Sequence, residues 1–464
     1  MSFVKRMMRG ERQTRDGDAE SEVPEVCEAP EPVDAAEAPC AQEAGEEELK
    51  MVVERRLSEL FDGWIDGLRA SRLCRRDDFL VRLYEAAKAF VLHGGKRLRP
   101  VACLQAYLLC GGPRTGALWA AAVDVAAAFE VLHSSTLVHD DIMDGDVLRR
   151  GTPTLWKTIY DTLVAESQVV VKEQEQEKQE QEKEHEEKKE EQEKGDEKQQ
   201  AQQENMLFAS KTAGEAATHA IIVGNMLVGE AVRVAERATR GVREAAVRRG
   251  RRGPAVRGAA EYVAEAVVLV NHGQVLDVRG TEGDAEFLDM VALKTGELFR
   301  CAVLAGAALA LGCARATEAV AQADADAMLA ALGRHAVAVA QAFQLYDDVL
   351  DISRESSKGH LFASDLRQGK NTLLVARALR AAPPAQAAPL RDVLARARRG
   401  EPCPEALLGR AVAVIEDTSL ASVLDTARSL ARCTALTDIL PLWPAPCHLA
   451  YFQNLASFVV NRSI

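Results

Sequence analysis

The segment LVHDDIMDGDVLRRG, Leu137–Gly151, separates its charges by sign within a chain that is otherwise rich in alanine, leucine and valine. The aspartates come first, and Arg149 and Arg150 follow them, with no lysine or glutamate in the segment. Asp140 and Asp144 are four residues apart, about one helical turn of 3.6 residues, so both carboxylates project from the same face of a helix. We therefore expect this segment to bind a ligand that carries both a metal ion and phosphate.

A second aspartate box lies far downstream, at the end of another apolar stretch. In FQLYDDVLDI, Phe343–Ile352, the residues Asp347 and Asp351 repeat the spacing of Asp140 and Asp144. A solvent-exposed acidic helix end would explain either box alone, but two copies favour carboxylates that meet across a cavity. Mg²⁺ suits such a site because it retains water ligands and binds one or two carboxylates together with phosphate oxygens.

Basic residues near the boxes are suited to the phosphates. The segment HGGKRLRP, His93–Pro100, supplies Lys96 and Arg99 directly after a Gly-Gly pair, whose flexible backbone allows close approach to an anion. Three further polar residues lie in apolar helical segments: Lys294, Thr295 and Gln344. A lysine in such surroundings either extends to solvent or reaches inward to an anion.

The composition predicts an all-α protein. Hydrophobic residues make up 47% and aromatic residues 5% of the 464 residues, and alanine-rich runs such as Ala120–Leu132 favour helix over strand. The net charge of −13 argues against nucleic-acid binding, because proteins that bind nucleic acids carry a basic surplus. The ten cysteines form no C-x-x-C pair, so we expect free thiols. No apolar run reaches the roughly 20 residues of a membrane span.

Two low-complexity segments accompany one helical domain, residues 49–464. Residues 1–48 are mostly acidic and rich in alanine and proline, which predicts disorder. Their basic tip, Met1–Arg15, resembles a mitochondrial presequence, and a cytoplasmic protein with a disordered tip is the alternative. Residues 162–205 are almost entirely glutamate, glutamine and lysine after Val171, without the apolar a and d positions of a coiled coil, which predicts a surface insertion.

Apolar and amphipathic segments predict the helices of the domain. The first begins near Met51, and the others are expected over Leu98–Leu109, Ala117–Asp141, Thr218–Ala235, Ala259–Gly273, Phe287–Leu311, Ala325–Ile352, Asn371–Ala381 and Leu449–Val460. The basic, glycine-interrupted segment Arg237–Arg257 is expected to be a solvated loop. No segment alternates between apolar and polar residues as a half-buried strand does.

These motifs together resemble those of trans-prenyl diphosphate synthases of the polyprenyl synthetase family. The resemblance extends from about Met51 to the C-terminus apart from the insertion, and rests on GGKRLRP, LHSSTLVHDDIMDGDVLRRGTPT, GQVLD, KTGELF, FQLYDDVLD and DLRQGKNT. It implies the isoprenoid synthase fold, a bundle of long helices around a deep central cavity, as a homodimer or as one subunit of a hetero-oligomer. It also implies condensation of isopentenyl diphosphate with an allylic diphosphate, in which about three Mg²⁺ ions assist departure of the allylic diphosphate.

The resemblance implies a role for each site residue. The metal ligands would be Asp140, Asp144 and Asp347, with ligands and waters oriented by Asp141, Asp348 and Asp351. The residues around the allylic diphosphate would be Arg149, Lys294, Thr295, Gln344 and Lys370. The residues around isopentenyl diphosphate would be Lys96, Arg99, His133 and Arg150. Catalysis would be electrostatic and positional, without a protein nucleophile, and would depend on Asp140, Asp144, Asp347, Lys294 and Gln344.

The resemblance also indicates how product length is set. Ser135 and Thr136 lie about one turn upstream of the first box, where relatives with short products commonly carry a bulky aromatic residue. These small residues predict an octaprenyl-to-decaprenyl product, such as solanesyl diphosphate for a ubiquinone side chain, with peripheral membrane contact for its release. The alternatives for the cavity floor are a side chain on another helix, and Leu132 or Phe129, which lie a turn or two further along the same helix. The alternatives are a farnesyl or geranylgeranyl diphosphate synthase and a non-catalytic partner subunit.

Two positions depart from the family pattern. His360 stands where the family commonly carries a lysine after the second box, which removes a charge near the leaving diphosphate. Asn225 stands in place of an aspartate that is not a metal ligand in the family. Retention of both aspartate boxes outweighs these changes, and the sequence therefore favours an active enzyme.

Overall fold

Helices form most of the chain described by the computed structural model, so the predicted all-α class is confirmed. The structure describes residues 45–72, 78–167, 196–248, 257–316, 320–353, 362–432, 436–437 and 439–461, with side chains omitted for 196–209, 245–248 and 314–316. The described residues belong to one compact unit, Cys40–Ile464. The predicted targeting tip and most of the predicted disordered segment lie outside them.

The first part of the chain contains helices α1 to α6 and a short strand pair. The helices are α1 (Glu46–Ala70), α2 (Phe79–Leu92), α3 (Leu98–Leu109), α4 (Gly116–Met143), α5 (residues 155–167) and α6 (Asp196–Arg248). The antiparallel strands β1 (Leu148–Arg149) and β2 (Thr152–Pro153) form a hairpin between α4 and α5. At its tip Arg150 has a φ of 52°, the left-handed conformation that tight hairpin turns require. Strands this short leave no alternating pattern in the sequence, which explains why they were not predicted.

The second part of the chain is also helical. Its helices are α7 (Ala259–Arg279), α8 (Gly283–Val291), α9 (Glu297–Ala316), α10 (Gln322–Asp351), α11 (Ser364–Gln368), α12 (Leu373–Ala381), α13 (Ala388–Arg398), α14 (Glu405–Thr418), α15 (Leu420–Ala431) and α16 (Leu449–Val460). Short 3₁₀ turns, Leu440–Leu442 and Pro446–His448, precede the last helix.

Helices α4 and α9 form the centre of the bundle. Every residue from Val125 to Leu132 of α4 and from Cys301 to Leu311 of α9 is buried. Two apolar helical stretches, Gly116–Met143 and Gly283–Cys313, have the length and composition of membrane spans, yet 61% and 83% of their most apolar windows are buried inside the protein. Burial of each large apolar side chain contributes about 1.5–3 kcal/mol to stability. We therefore assign both stretches as core helices of the bundle.

A π-helical turn interrupts the helix that the sequence predicts over Phe287–Leu311. Residues Ala292–Gly296 form this turn between α8 and α9, and π turns within helices are frequent at functional sites. Helix α7 packs against it so closely that a Cβ on Gly273 would lie 2.3 Å from the backbone nitrogen of Lys294. The close packing fixes the backbone of the turn, and with it the direction of its side chains.

Two boundary predictions require correction. Helix α6 continues to Arg248, so the first part of Arg237–Arg257 is helical and not a loop. The reason is that Ala238 and Val242 are buried and continue the apolar stripe of α6 at four-residue spacing. Helix α1 begins at Glu46, before the predicted start near Met51.

The predicted insertion is described only at its two ends. Residues 162–167 continue α5, and residues 196–205 belong to α6. The stretch between them lies outside the described residues, so its surface location stays a prediction. The expectation of free thiols is wrong at Cys447, which is disulfide-bonded.

Candidate active site

The two aspartate boxes meet in one acidic cleft. The first box lies at the C-terminal end of α4 and the second at the C-terminal end of α10. The box aspartates that line this cleft of about 380 Å³ are Asp140, Asp144, Asp347, Asp348 and Asp351. Asp140 and Asp347 also line a deeper cavity of about 960 Å³, so the cleft and the cavity adjoin.

The second box is held by hydrogen bonds from its neighbours. Asp351 accepts hydrogen bonds from the backbone nitrogens of Ser364 and Asp365 at 3.1 and 3.0 Å, at the start of α11. Asp348 accepts one from Nε2 of Gln344 at 2.9 Å. Burial, together with the charge of Asp365, raises the pKa of Asp351 to about 6 and that of Asp348 well above its usual range. Among the described residues, seven aspartates line the cleft but only three cationic side chains, Arg149, Lys294 and Lys370, so carboxyl groups outnumber cations there.

The neighbouring aspartates Asp140 and Asp141 of the first box lie in different surroundings. Asp140 faces the cleft, and burial raises its pKa. Asp141 is 1% exposed, does not line the cleft, and accepts a hydrogen bond from Nε of Arg149 at 2.7 Å. Burial raises the pKa of Asp141 to about 6 despite that bond. The structure thus does not bring Asp141 to the predicted metal site, because the next position on a helix points about 100° away from Asp140.

The cleft fits a hard divalent cation. The box residues that line it offer only carboxylate oxygens, the ligands that Mg²⁺ prefers. Because burial and mutual repulsion raise the pKa values of Asp140, Asp348 and Asp351, a bound cation would stabilise their charged forms. Asp140, Asp144 and Asp347 are placed to hold it.

A basic pole also lines the deep cavity. Its residues are those predicted for isopentenyl diphosphate, namely Lys96, Arg99, His133 and Arg150, with Arg149 beside them. Nη1 of Arg99 lies 3.2 Å from Nε2 of His133. Burial, and then the positive charges of Arg99 and Arg150, lower the pKa of His133 well below its usual range, so its imidazole is neutral. This pole presents a surplus of positive charge to a diphosphate.

The glycine pair before the basic residues permits a close approach. Gly95 has a φ of 118°, and a Cβ there would lie 2.7 Å from Nη1 of Arg150. The same Nη1 donates a hydrogen bond to the carbonyl of Gly94 at 3.1 Å. The ammonium of Lys96 lies 4.7 Å from the ring centroid of Phe458 on α16. The segment His93–Pro100 and the hairpin tip are thereby held side by side.

The π-helical turn supplies two of the residues predicted for the allylic diphosphate, Lys294 and Thr295. Nζ of Lys294 lies 2.6 Å from Oδ2 of Asp277 on α7. Oγ1 of Thr295 donates to Oε1 of Gln344 at 3.3 Å, and Gln344 in turn donates to Asp348. This hydrogen-bond chain connects the π turn to the second box. Lys370 lines the acidic cleft.

The deep part of the cavity is apolar. Ser135 and Thr136 line it, and their hydroxyls donate to the backbone carbonyls of Leu132 and His133, each at 2.7 Å, so neither hydroxyl needs a ligand. Leu132 lines the cavity further down, whereas Phe129 is fully buried and does not. The apolar wall is completed by Val228, Ala266, Val267, Val270, Leu298 and Phe343.

Sequence reasoning missed several polar residues of the site. Asp277, Asp365 and the pair Asn271 and Gln274 lie against or line the two cavities. The motifs GQVLD and DLRQGKNT contain most of them. The sequence therefore pointed to these residues, but it did not indicate which group each of them contacts. His360 lies outside the described residues, and the consequence predicted for it stays a prediction.

Carboxylate boxes beside a basic pole and an apolar cavity define a class of all-helical enzyme that acts on diphosphate esters of hydrocarbons. The polyprenyl synthetase profile matches residues 81–171 and 208–397, more than half of the chain. The chain belongs to the polyprenyl synthetase family and is a trans-prenyltransferase. The matched stretches leave out residues 172–207, most of which fall in the predicted insertion.

Relatives and solved structures agree with this assignment. The geranylgeranyl diphosphate synthase of Sulfolobus acidocaldarius is 27% identical over 303 residues, 64% of this chain and 67% of the relative. The geranylfarnesyl diphosphate synthase of Aeropyrum pernix is 28% identical over 372 residues, 78% of this chain and 88% of the relative. A geranylgeranyl pyrophosphate synthase from Corynebacterium glutamicum, complexed with isoprenyl diphosphate and magnesium, has the same fold, with a TM-score of 0.68, 20% identity, and coverage of 90% of this chain and 100% of that one.

Proposed function

We propose that the protein condenses isopentenyl diphosphate with an allylic diphosphate, in the presence of Mg²⁺, and makes a short all-trans product of the geranylgeranyl class. The observation that carries this proposal is the joining of the acidic cleft to the deep cavity at Asp140 and Asp347. An allylic diphosphate at this junction has its charged group at the boxes and its hydrocarbon in the apolar cavity.

Separate groups of residues bind the two substrates during ionisation and condensation. Bound Mg²⁺ supplies Lewis-acid stabilisation of the leaving diphosphate. Lys294, Thr295, Gln344 and Lys370 hold the allylic diphosphate, and the apolar wall excludes water from the reactive carbons. Lys96, Arg99, His133 and Arg150 hold isopentenyl diphosphate so that its double bond meets the allylic carbon. No side chain acts as a nucleophile.

The relatives favour the short-chain alternative over the octaprenyl-to-decaprenyl product that Ser135 and Thr136 predict. The relatives with sequence similarity include geranylgeranyl and geranylfarnesyl diphosphate synthases. The cavity supports the same choice, because Leu132 lies in its wall about one turn beyond Thr136. The floor then depends on Leu132 and its neighbours, and the small side chains of Ser135 and Thr136 only widen the upper part.

We also propose that the protein works as a homodimer. Apolar side chains on the adjacent helices α6 and α7 are exposed, among them Ile221 at 44%, Val275 at 65% and Val278 at 75%. Exposed apolar patches of this kind are typical of protein interfaces. A second copy of the chain would cover them. Light scattering of the purified protein tests this, and Val278→Glu should shift a dimer towards monomer.

Product analysis tests the proposed activity. Purified protein is incubated with Mg²⁺, labelled isopentenyl diphosphate and either farnesyl or geranylgeranyl diphosphate, and the dephosphorylated products are separated by chain length. Geranylgeraniol as the main product from farnesyl diphosphate supports the proposal. A polyprenol of the octaprenyl-to-decaprenyl range would restore the long-chain prediction. Absence of any product would favour the non-catalytic partner subunit.

A further inference from the structure

Arg97 is a buried arginine whose role differs from that of its basic neighbours. It is 4% exposed, and its guanidinium donates from Nη1 to Oε1 of Glu130 at 2.6 Å and from Nη2 to the carbonyl of Val91 at 2.8 Å. A weaker contact joins its Nε to Oε1 of Glu54 at 3.3 Å. Arg97 lines the deep cavity together with its neighbours, but these partners engage its guanidinium and hold the segment in place.

The backbone of Arg97 explains why this anchor matters. Its φ of 49° lies in the left-handed region, which side-chain-bearing residues adopt only when the surroundings enforce it. Lys96 precedes Arg97, and Arg99 follows it by two residues. The unusual backbone at Arg97 therefore sets the directions in which Lys96 and Arg99 leave the segment, and both side chains line the deep cavity.

Glu130 is the carboxylate on which this arrangement depends. It is 5% exposed and lies on α4 three residues before His133, so that both face the same side of the helix. Burial lowers the pKa of Arg99 and that of Arg150, and the charge of Glu130 opposes this lowering in both. Glu130 thus lies within the basic pole and lines the deep cavity beside it.

We propose that Glu130 is a positioning residue for the isopentenyl diphosphate site, acting through the guanidinium of Arg97 on the side chains of Lys96 and Arg99. This inference rests on the proposed function and deepens it. Glu130 touches no substrate; it fixes the segment that does. The contacts of Arg97 with Glu130, Val91 and Glu54 involve none of the residues that hold the allylic diphosphate, namely Lys294, Thr295, Gln344 and Lys370.

The positioning role of Glu130 and a purely electrostatic effect of its charge predict opposite changes in the KM for isopentenyl diphosphate. Loss of a negative charge from the basic pole would, through the field alone, strengthen the binding of a diphosphate and lower the KM for isopentenyl diphosphate. Loss of the anchor would release Arg97 from its left-handed conformation and misdirect Lys96 and Arg99, which raises that KM. The sign of the change therefore distinguishes the two.

The test compares Glu130→Gln with Glu54→Gln in the full chain. Both changes remove a carboxylate that contacts Arg97, but the side chain of Glu54 is 35% exposed and that of Glu130 is 6% exposed. We expect Glu130→Gln to raise the KM for isopentenyl diphosphate about tenfold, with the KM for the allylic substrate within about twofold of wild type. Glu54→Gln should leave both KM values near those of wild type. Glu130→Asp keeps the charge, but its shorter side chain moves the carboxylate away from Arg97. It should therefore also raise the KM for isopentenyl diphosphate.

Direct binding and stability measurements complete the test. Calorimetric titration with isopentenyl diphosphate should show the same weakening in Glu130→Gln, and circular dichroism reports whether the variants fold. An unchanged or lowered KM for isopentenyl diphosphate in folded Glu130→Gln, or an equal rise in both KM values, would overturn the positioning role. If Glu130→Gln does not fold, the result with Glu130→Asp decides. A wild-type protein that neither binds isopentenyl diphosphate nor turns it over would instead overturn the proposed function, and the role of Glu130 with it.

Discussion

Nζ of Lys370 lies 3.0 Å from Oδ2 of Asp144, although 226 residues separate them in the chain. The same ammonium lies 3.4 Å from Oδ1 of Asp365. Burial lowers the pKa of Lys370, but Asp365 and Asp144 outweigh this effect and raise it, so the lysine stays charged. A single cation thus joins the end of the first box to the short helix α11, which also hydrogen-bonds to the second box through Asp351.

Lys370→Met should weaken the binding of the allylic diphosphate. The change removes the ammonium from the acidic cleft and leaves Asp144 and Asp365 without their shared cation, at a site where the leaving group gathers charge. We expect the KM for the allylic substrate to rise about tenfold, while the KM for isopentenyl diphosphate changes little. Steady-state kinetics with each substrate varied in turn measure both values. Lys157→Met, at a surface ion pair with Asp161, is the control, and an unchanged allylic KM in Lys370→Met would argue against this role.

Asp140→Ala and Asp347→Ala should each abolish turnover without unfolding the protein. Both residues lie at the junction of the cleft and the cavity, where loss of one metal ligand removes stabilisation of the leaving diphosphate. A fall in kcat of about a thousandfold or more is expected. Asp425→Ala removes a carboxylate from a surface ion pair with Arg428 and serves as the control. Turnover near the wild-type level in either box variant, at any Mg²⁺ concentration, would disprove the metal assignment.

Substitutions in the cavity wall should shift product length in opposite directions. Leu132→Ala removes side-chain volume from the lower wall, so we expect longer products than in wild type. Thr136→Phe fills the cavity about one turn below Asp140, and should shorten the product. Chain-length analysis of the dephosphorylated products measures both, with Phe129→Leu as the comparison, since Phe129 is buried but does not line the cavity. If Leu132→Ala leaves the product unchanged, the floor lies on another helix.

The helices were predictable from the sequence where they bury a continuous apolar face, because such a face leaves a periodic pattern of apolar residues. Helix α3 begins and ends at the predicted residues, Leu98 and Leu109, because Gly-rich segments bound it on both sides. The pairing of the aspartate boxes was predictable as well, since each box ends a long apolar helix. That Asp140 and Asp347 line one cleft confirms the expectation that the boxes meet.

Other features depend on contacts that no local pattern encodes. The left-handed backbone of Arg97 and its ion pair with Glu130 require α4 to lie against the segment His93–Pro100. The hydrogen bond from Arg149 to Asp141 requires the hairpin that carries Arg149. The sequence left open whether Leu132 or Phe129 points into the cavity below Ser135 and Thr136, because that orientation depends on how α4 is rotated in the bundle; the structure places Leu132 in the wall. Such facts follow from tertiary packing, which a single sequence does not specify residue by residue.

Deletion of Val171–Gln200 should leave activity largely unchanged. The segment consists mostly of charged and amide side chains, and the family profile matches on both sides of residues 172–207 without including them. Specific activity and the thermal midpoint of the purified deletion variant measure the effect. A variant that folds but is inactive would contradict the predicted surface location.

His133 should make the stability of the protein sensitive to mild acid. Burial, and then Arg99 and Arg150, lower its pKa well below the ordinary value of 6.5, so the native state keeps it neutral while the unfolded chain takes up a proton as the pH falls below 6.5. Since the unfolded state then binds more protons, the native state loses about 1.4 kcal/mol for each pH unit below that value until the native pKa is reached, and nothing above it.

His133→Gln removes this proton uptake from the unfolded state. The free energy of unfolding of the wild type, measured by denaturant titration at pH 7.5 and about pH 5.5, should fall by about 1.4 kcal/mol more than that of His133→Gln. The exposed His272→Gln variant is the control and should follow the wild type. Because the carboxylates of the boxes titrate in the same range with the opposite sign, only the difference between variant and wild type isolates the imidazole. Equal losses in the wild type and in His133→Gln would show that the imidazole accepts a proton inside the basic pole, and the neutral partner assigned to Arg99 would then be wrong.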